Sequence, residues 1–382
     1  MAQILIDANG FQALADFETG KAMDEPLTQR MKDLMKITPD IPFPGDESPE
    51  AVKWTIDAAL KIDDYMHPDF MFISIASPML LRTFYEMSDE ESKALYDNMF
   101  QEINRFFAET KYEAVVVGGG SLSPVIGGID LSPITRRPVH STFNHSFAGI
   151  YEATEEESAK LKEIEHIQKI ISREEYVAAN PRLSAECIEM LPDYMIMRED
   201  GYAFNTIAKR GYKVRMVADS CSELPVYTTL GEPKHIRDIC PMINKALDEG
   251  KRVAIVLLEA TGEKEFGLPY IKVDNCEDFY CYEQGVSLYR VLNSGRKYSE
   301  EADPPVVQKH TTGPVHKYPY SMINDKVSTG NLGQRPDKLT ASVGTRSGFT
   351  HSYCLCDVNV ECHSRNLAGS AVLVMVNDEK NP

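Results

Sequence analysis

The sequence predicts a mixed α/β fold: a mostly parallel sheet with helices on both faces, plus a β-rich C-terminal segment. Three observations carry this. Short, continuous apolar runs (FMFISIA from Phe70, YEAVVVGGG from Tyr112, RVAIVLLEA from Arg252) have the length and composition of strands buried on both faces. Between them lie segments whose apolar residues recur at helical spacing behind good N-caps. Beyond about residue 300 the helical spacing stops and turn signals (DPP, TTGP, STGN, GQRPD) separate further strand-like runs.

In chain order, QILIDANGF reads as a short strand ending at Asp7 with a turn at Asn9-Gly10. Ser48 caps a helix with Pro49 at its first position and Val52, Ile56, Ala59 and Leu60 on its apolar stripe, stopped by His67-Pro68-Asp69. The box Ser88-Asp89-Glu90-Glu91 opens a second helix presenting Leu95, Met99, Ile103 and Phe106. A similar box at Thr154 to Glu157 predicts a third helix through Leu161, Ile164, Ile167 and Ile171, its three glutamates forming a solvated N-terminus. Strands follow at Tyr194 to Met197 and in KVRMVAD up to Asp219. Pro233 opens a fourth helix through Ile236, Ile239, Ile243 and Leu247, closed by Gly250. Strands at Leu339 to Thr345, Tyr353 to His363 and Ser370 to Val376 complete the chain. The expected organisation is an α/β domain over residues 1–300 and a β-rich segment over 301–382, either extending the same sheet in antiparallel fashion or capping it.

The net charge of −18 argues against nucleic acid and against anionic membranes as partners. The longest apolar runs are too short to span a bilayer, and MAQILIDANG lacks the pattern of a secretion signal, so a cytoplasmic location is expected. The eight cysteines show no CxxC pair and are expected to be reduced thiols. No cofactor is expected. A small anionic molecule is the expected partner, and a homo-oligomer is compatible with the composition.

The stretch VVVGGGSLSPVIGGIDLSPITRRPVHSTFNHS offers the first candidate site. In an open α/β sheet, ligands sit beyond the carboxyl ends of the strands, where Gly118, Gly119, Gly120 and Ser121 would lie. Glycine lets backbone amides approach an anion, and Arg136 or Arg137 could add bidentate donors. Neither dinucleotide nor P-loop spacing is present, so a ligand loop and a plain tight loop both remain open. His140 and His145, five residues apart, suit neither a helix face nor a strand face as metal ligands.

From residue 67 to about 204 the order of features resembles the alkaline phosphatase superfamily, in particular its phosphodiesterase and cofactor-independent phosphoglycerate mutase branches. The carriers are PDFMFISI, the helix after it, VVVGGG, and the run IEHIQKIISREEYVAANPRLSAECIEMLPDYMIMREDGYAF; Asp7 falls where the family places a metal-binding aspartate. The resemblance implies a fold. Where the family has Asp and His after PDFMFISI this chain has Ala76-Ser77-Pro78, and where it has Asp-His after VVV this chain has Gly118-Gly119. The region of the family's Thr or Ser nucleophile is shortened, and no two-metal site is expected.

The second candidate site is C-terminal. On YCLCDVNVECH a period of two puts Cys354, Cys356, Val358, Val360 and Cys362 on one face, as small buried apolar residues. The other face carries Tyr353, Asp357, Asn359, Glu361 and His363. It is expected either to meet water or, with Arg346, Ser347, Thr350 and His351 just before it and His310 and His316 upstream, to supply acid/base chemistry. The candidate proton-transfer set is His351, Asp357, Glu361 and His363 with Arg346. Cys221 in ADSCSEL is either a nucleophile or a structural thiol. The expected function is a hydrolase acting on a small anionic molecule at the carboxyl end of the sheet; the alternative is a non-catalytic relative of the phosphatase fold with a binding or assembly role.

Overall fold

A computed structural model describes residues 2–8, 11–16, 32–134, 138–140, 147–181, 183, 185–205, 214–277, 280–282, 284–297, 332–345, 356–367 and 369–377. Its centre is a ten-stranded sheet. The strands are β1 (Ala2–Ala8), β2 (Phe11–Asp16), β3 (Phe70–Ile75), β4 (Glu113–Gly118), β5 (Glu223–Thr228), β6 (Val253–Leu258), β7 (Ile271–Asp274), β8 (Thr340–Gly344), β9 (Val358–Leu367) and β10 (Gly369–Asn377). They lie in the order β7-β5-β4-β6-β3-β8-β9-β10-β1-β2. The five central strands, β4, β6, β3, β8 and β9, pair in parallel. The pairs outside them are antiparallel, so β5, β10 and β2 run against the other seven strands of the sheet.

Sequence dictates this placement. FMFISI and VAIVLL are buried at every position, as strands covered on both faces must be. The C-terminal strands are not a purely antiparallel extension: β8 joins β3 and β9 joins β8 in parallel, and only β10 turns back to meet β1.

Two helices cover one face. Helix α1 (Glu50–Met66) ends at His67, whose left-handed φ of 51° lets its amide reach Asp63 O, and Pro68 forbids continuation. Pro49, not Ser48, is its N-cap, although the Glu50 amide still donates to Ser48 Oγ at 3.3 Å. After α2 (Ser77–Phe84), helix α3 (Asp89–Glu109) starts with the predicted reciprocal box between Ser88 and Glu91. Trp54, Ile56, Ala59, Met99, Ile103 and Phe106 from α1 and α3 share one core with Met71, Ile73, Val256, Val343 and Val360. On the other face α4 (Ile239–Asp248) and α5 (Val286–Ser294) supply Ile239, Ile243, Leu247, Leu288 and Leu292 to a core with Phe72, Val115, Ile255 and Leu257.

A smaller four-stranded sheet holds Pro138–His140, Phe147–Ile150, Tyr194–Arg198 and Ile167–Ser172 in that order. Here the predicted third helix is corrected. The Thr154 box forms, but the helix covers only Glu155–Lys160 and buries nothing, with Glu155 and Glu156 exposed. His166 then takes a φ of 64° and IQKIIS runs as a strand, pairing Ile171 with Met195 and Ile170 with Ile196. Its three isoleucines fit either period, and an available partner strand outweighs the helical spacing. Among the described residues no helix is long and apolar enough to cross a membrane.

Candidate functional site

The carboxyl ends of β3, β6 and β8 converge. Beyond β3 the chain turns at Ala76 directly into α2, whose first residue is Ser77 and second is Pro78, the residue suited to a first helical turn. Thr345, just past β8, receives the Ala76 amide on Oγ1 at 2.8 Å and donates its own amide to Ser74 O at 3.2 Å. From β6, the Glu259 amide donates to Ile75 O at 3.0 Å. These ties leave Ser77 fully buried, its hydroxyl without a hydrogen-bond partner among the described residues. Ser77 is not among the candidates the sequence offers, where Ala76-Ser77-Pro78 stands in place of the family's aspartate and histidine. The signal is Ser-Pro one residue beyond a largely apolar strand.

Beside it, Glu259 is fully buried and Ala260 holds a φ of 58°, a left-handed conformation that is costly for a residue with a Cβ. Both sides of that residue are fixed: its amide donates to Gln284 Oε1 at 2.5 Å, and its carbonyl accepts from the Tyr96 hydroxyl. Burial pushes the Tyr96 phenol up to about 12, so at neutral pH it is a donor. Arg82, five residues beyond Ser77, donates to Tyr96 at 3.0 Å and to Glu265 at 3.4 Å.

The glycine loop lies at this end, but its amides are committed. Gly119 donates to Leu258 O at 2.8 Å and Gly120 to Thr261 O at 3.3 Å. A side chain on Gly118 would collide with Thr261 O and Pro225, and Gly120 combines a φ of 101° with the Cys221 sulfur 3.0 Å from where a Cβ would sit. These glycines allow close packing. An anion here would have to be met by Ser121 and by side chains; Arg136 and Arg137 lie outside the described residues, as does His145, while His140 belongs to the strand Pro138–His140.

Next to the loop, Asp219 donates its amide to Ser121 O at 3.0 Å. Burial raises the Asp219 carboxyl above the usual range, against the hydrogen bond from Ser123. Burial likewise pushes the Cys221 thiol up, with the Ser121 backbone opposing. A thiol held protonated is a poor nucleophile.

The C-terminal cluster divides. Val358, Val360 and Cys362 are buried in one core, as the period of two predicts; Cys356 precedes the strand and is buried in the opposite core with Phe72 and Tyr289, which corrects its expected face, and Cys354 lies outside the described residues. The opposite face is not solvated: Asp357, Asn359 and Glu361 are all buried. This corrects the expectation of a water-facing surface, and its cause is the hydroxyl-bearing strand alongside. Asp357 Oδ2 accepts from the Thr340 amide and hydroxyl, each at 3.0 Å. Ser342 Oγ donates to Asn359 Oδ1 at 2.5 Å, and Ser74 bonds the Tyr289 hydroxyl reaching over from α5.

Asp357 and Glu361 occupy different ends of this face. Glu361 is in register with Gly344 and, through it, Ser74, near the carboxyl end; Asp357 is bonded to Thr340 at the amino end, four residues or about 13 Å away. Glu361 therefore shares an end with Ser77, and Asp357 does not. His351 and Arg346 lie outside the described residues, as do His310 and His316 and the side chain of His363.

Among the described residues the donor set of a two-metal centre is not assembled. Ala76 and Ser77 follow β3, Gly118 ends β4 and Gly119 follows it, and among the described residues no three His, Cys, Asp or Glu side chains cluster as metal ligands. Strand β1, which carries Asp7, is four strand spacings from β3, about 19 Å.

No family model matches the chain, and no curated relative matches it. Among solved structures it is similar in part to phosphonoacetate hydrolase from Sinorhizobium meliloti 1021, crystallised with phosphonoformate (16% identity, TM-score 0.34, covering 44% of this chain and 46% of that one). The complex of the same enzyme with phosphonoacetate gives 16% identity and a TM-score of 0.32 over 53% of this chain and 55% of that one. The match thus spans about half the length of those structures.

Proposed function

We propose that the chain is an α/β enzyme of the hydrolase class, acting on a small anionic molecule at the carboxyl end of the sheet with Ser77 as its nucleophile. The observation that carries this is the buried Ser77 hydroxyl with no partner among the described residues, at the first turn of α2. Leaving such a group unpaired costs about 1–3 kcal/mol, a penalty that a ligand would relieve. The adjoining helix N-terminus favours negative charge, as on a substrate or a developing oxyanion. The left-handed Ala260 adds backbone strain of the kind that gathers at active sites.

In this reading Ser77 Oγ attacks an ester or phosphoester, and His351, in the segment that follows Thr345, accepts its proton and returns it to the leaving group. Water then releases the bound acyl or phosphoryl group by the same route. Entry to Ser77 requires the covering chain to move, as active-site lids do.

The test is a screen of carboxylic esters and phosphoesters with the parent chain, Ser77→Ala and His351→Gln. Turnover by the parent should fall about 10²–10⁴-fold in His351→Gln and at least as far in Ser77→Ala, with the melting temperature nearly unchanged in the first and raised in the second, which loses the unpaired hydroxyl. Turnover that survives Ser77→Ala removes the reading. No turnover of any ester leaves the binding or assembly role.

A further inference from the structure

Of the described cysteines, Cys240, Cys356 and Cys362 are buried and Cys221 is half-buried; the other two lie together. Cys276 is exposed and Cys281 half-exposed, and they face each other across a short hairpin of strands Cys276–Glu277 and Tyr280–Cys281. Their sulfurs are 3.4 Å apart. The Tyr282 amide donates to Asn275 O at 3.2 Å, which makes that flanking pair the hydrogen-bonded one and Cys276–Cys281 a non-hydrogen-bonded one. At such positions the two Cα atoms approach to about 4.5 Å, inside the range a disulfide requires.

The hairpin is held in this geometry from several sides. Asn275 donates its backbone amide to Ser222 O at 2.7 Å, and its side-chain amide to Cys221 O at 2.9 Å and Tyr282 O at 2.7 Å. The Cys276 amide donates to Asp274 Oδ1 at 2.9 Å, and Cys276 O lies 2.9 Å from His235 Nε2. Buried Glu277 accepts from the Tyr282 hydroxyl and pairs with Lys297 at 3.1 Å. Two sulfurs fixed within contact, open to solvent and with no third metal-ligating side chain among the described residues, suit redox exchange better than metal binding.

We infer that Cys276 and Cys281 form a reversible dithiol–disulfide couple that exchanges with small-molecule disulfides of the glutathione type. One cysteine, as thiolate, attacks a sulfur of the oxidised disulfide, forming a mixed disulfide and releasing one small thiol. The second cysteine, having lost its proton, attacks the protein-side sulfur, closes the intrachain bond and expels the second small thiol. The protein loses two protons and two electrons, and the small disulfide gains them. The couple is independent of the hydrolase reading, since neither sulfur belongs to the Ser77 site.

The test equilibrates the full chain in glutathione buffers of increasing oxidised fraction, blocks remaining thiols with an alkylating agent, and maps the peptides by mass. The parent should lose two alkylatable thiols together as one intrachain Cys276–Cys281 link, and regain both on addition of reductant. Cys276→Ser and Cys281→Ser should each instead carry one glutathione on the remaining cysteine, while Cys221→Ser behaves as the parent; melts of the reduced variants confirm that they fold. Parent thiols that stay free in the oxidising buffers overturn the proposal. So does a link that maps to Cys221, or a failure of the single variants to take up glutathione.

Discussion

The two faces of the central sheet are equally buried, but toward the carboxyl end of β3 and along β8 and β9 they are chemically different. Under α1 and α3 the strands present Met71, Ile73, Val256, Val343, Val358 and Val360, an apolar surface meeting apolar helices. Under α5 the same β3, β8 and β9 present Ser74, Ser342, Asn359 and Glu361, a polar layer as dry as the other. An apolar face is held by area removed from water and by close packing, so its stability scales with volume. A dry polar face is held only while every donor and acceptor has a partner. The two faces should therefore respond to different kinds of substitution.

The largest effect is expected on the apolar side. Trp54 is 2% exposed, packs edge-on to Phe43 with ring centroids 5.2 Å apart, and donates its indole N–H to Ile41 O at 2.9 Å. Trp54→Ala should destabilise by about 3–5 kcal/mol in denaturant unfolding, through cavity and lost contact. A loss below about 1 kcal/mol would mean that α1 does not anchor this face.

On the polar side, Asp357→Ala should cost about 1–3 kcal/mol, because it strands the Thr340 amide in a dry site, while the Thr340 hydroxyl keeps Gly333 O as its acceptor. Asp357→Asn keeps an acceptor oxygen and should recover most of that loss. Equal losses for the two variants would show that this face is held by packing after all. A smaller effect, about 1 kcal/mol, is expected for Ser88→Ala, which removes the cap of α3 without touching either face: Ser88 Oγ accepts from the Glu91 amide at 3.2 Å, and the Glu91 carboxylate accepts from the Ser88 amide at 2.8 Å.

The same contrast sets what a reader of the sequence could see. Strands β3 and β6 were legible because a strand covered on both faces has only one composition, and the boxes at Ser88 and Thr154 were legible because a cap is a local bond. Ile167–Ser172 was not, because its isoleucines satisfy two periods and the deciding partner, Tyr194–Arg198, lies elsewhere in the chain. On β9 a period of two sorted Asp357, Asn359 and Glu361 onto one face, yet whether that face is wet depends on Thr340, Ser342 and Tyr289. Ser77 was missed for a related reason: the turn that buries it is fixed by Thr345, whose hydroxyl meets an amide 269 residues away in sequence.

A coupling between two substitutions is the most informative about why the polar face exists. Asn359→Leu alone removes the acceptor of the Ser342 hydroxyl and the amide donor that reaches Cys356 O at 2.6 Å, and should destabilise by about 1–3 kcal/mol. Adding Ser342→Ala removes the stranded hydroxyl as well, and replacing both partners of a buried hydrogen bond by apolar groups of similar shape is often nearly neutral. The double variant should therefore be more stable than Asn359→Leu, by roughly 1 kcal/mol or more, a coupling that a double-mutant cycle in denaturant reads directly. If it is, folding does not require the polar pair, and its presence two residues before Glu361, toward the carboxyl end, points to the chemistry of that end. If the double variant instead loses the sum of both single losses, the pair is a structural tie between β8 and β9, and the polar face owes nothing to function.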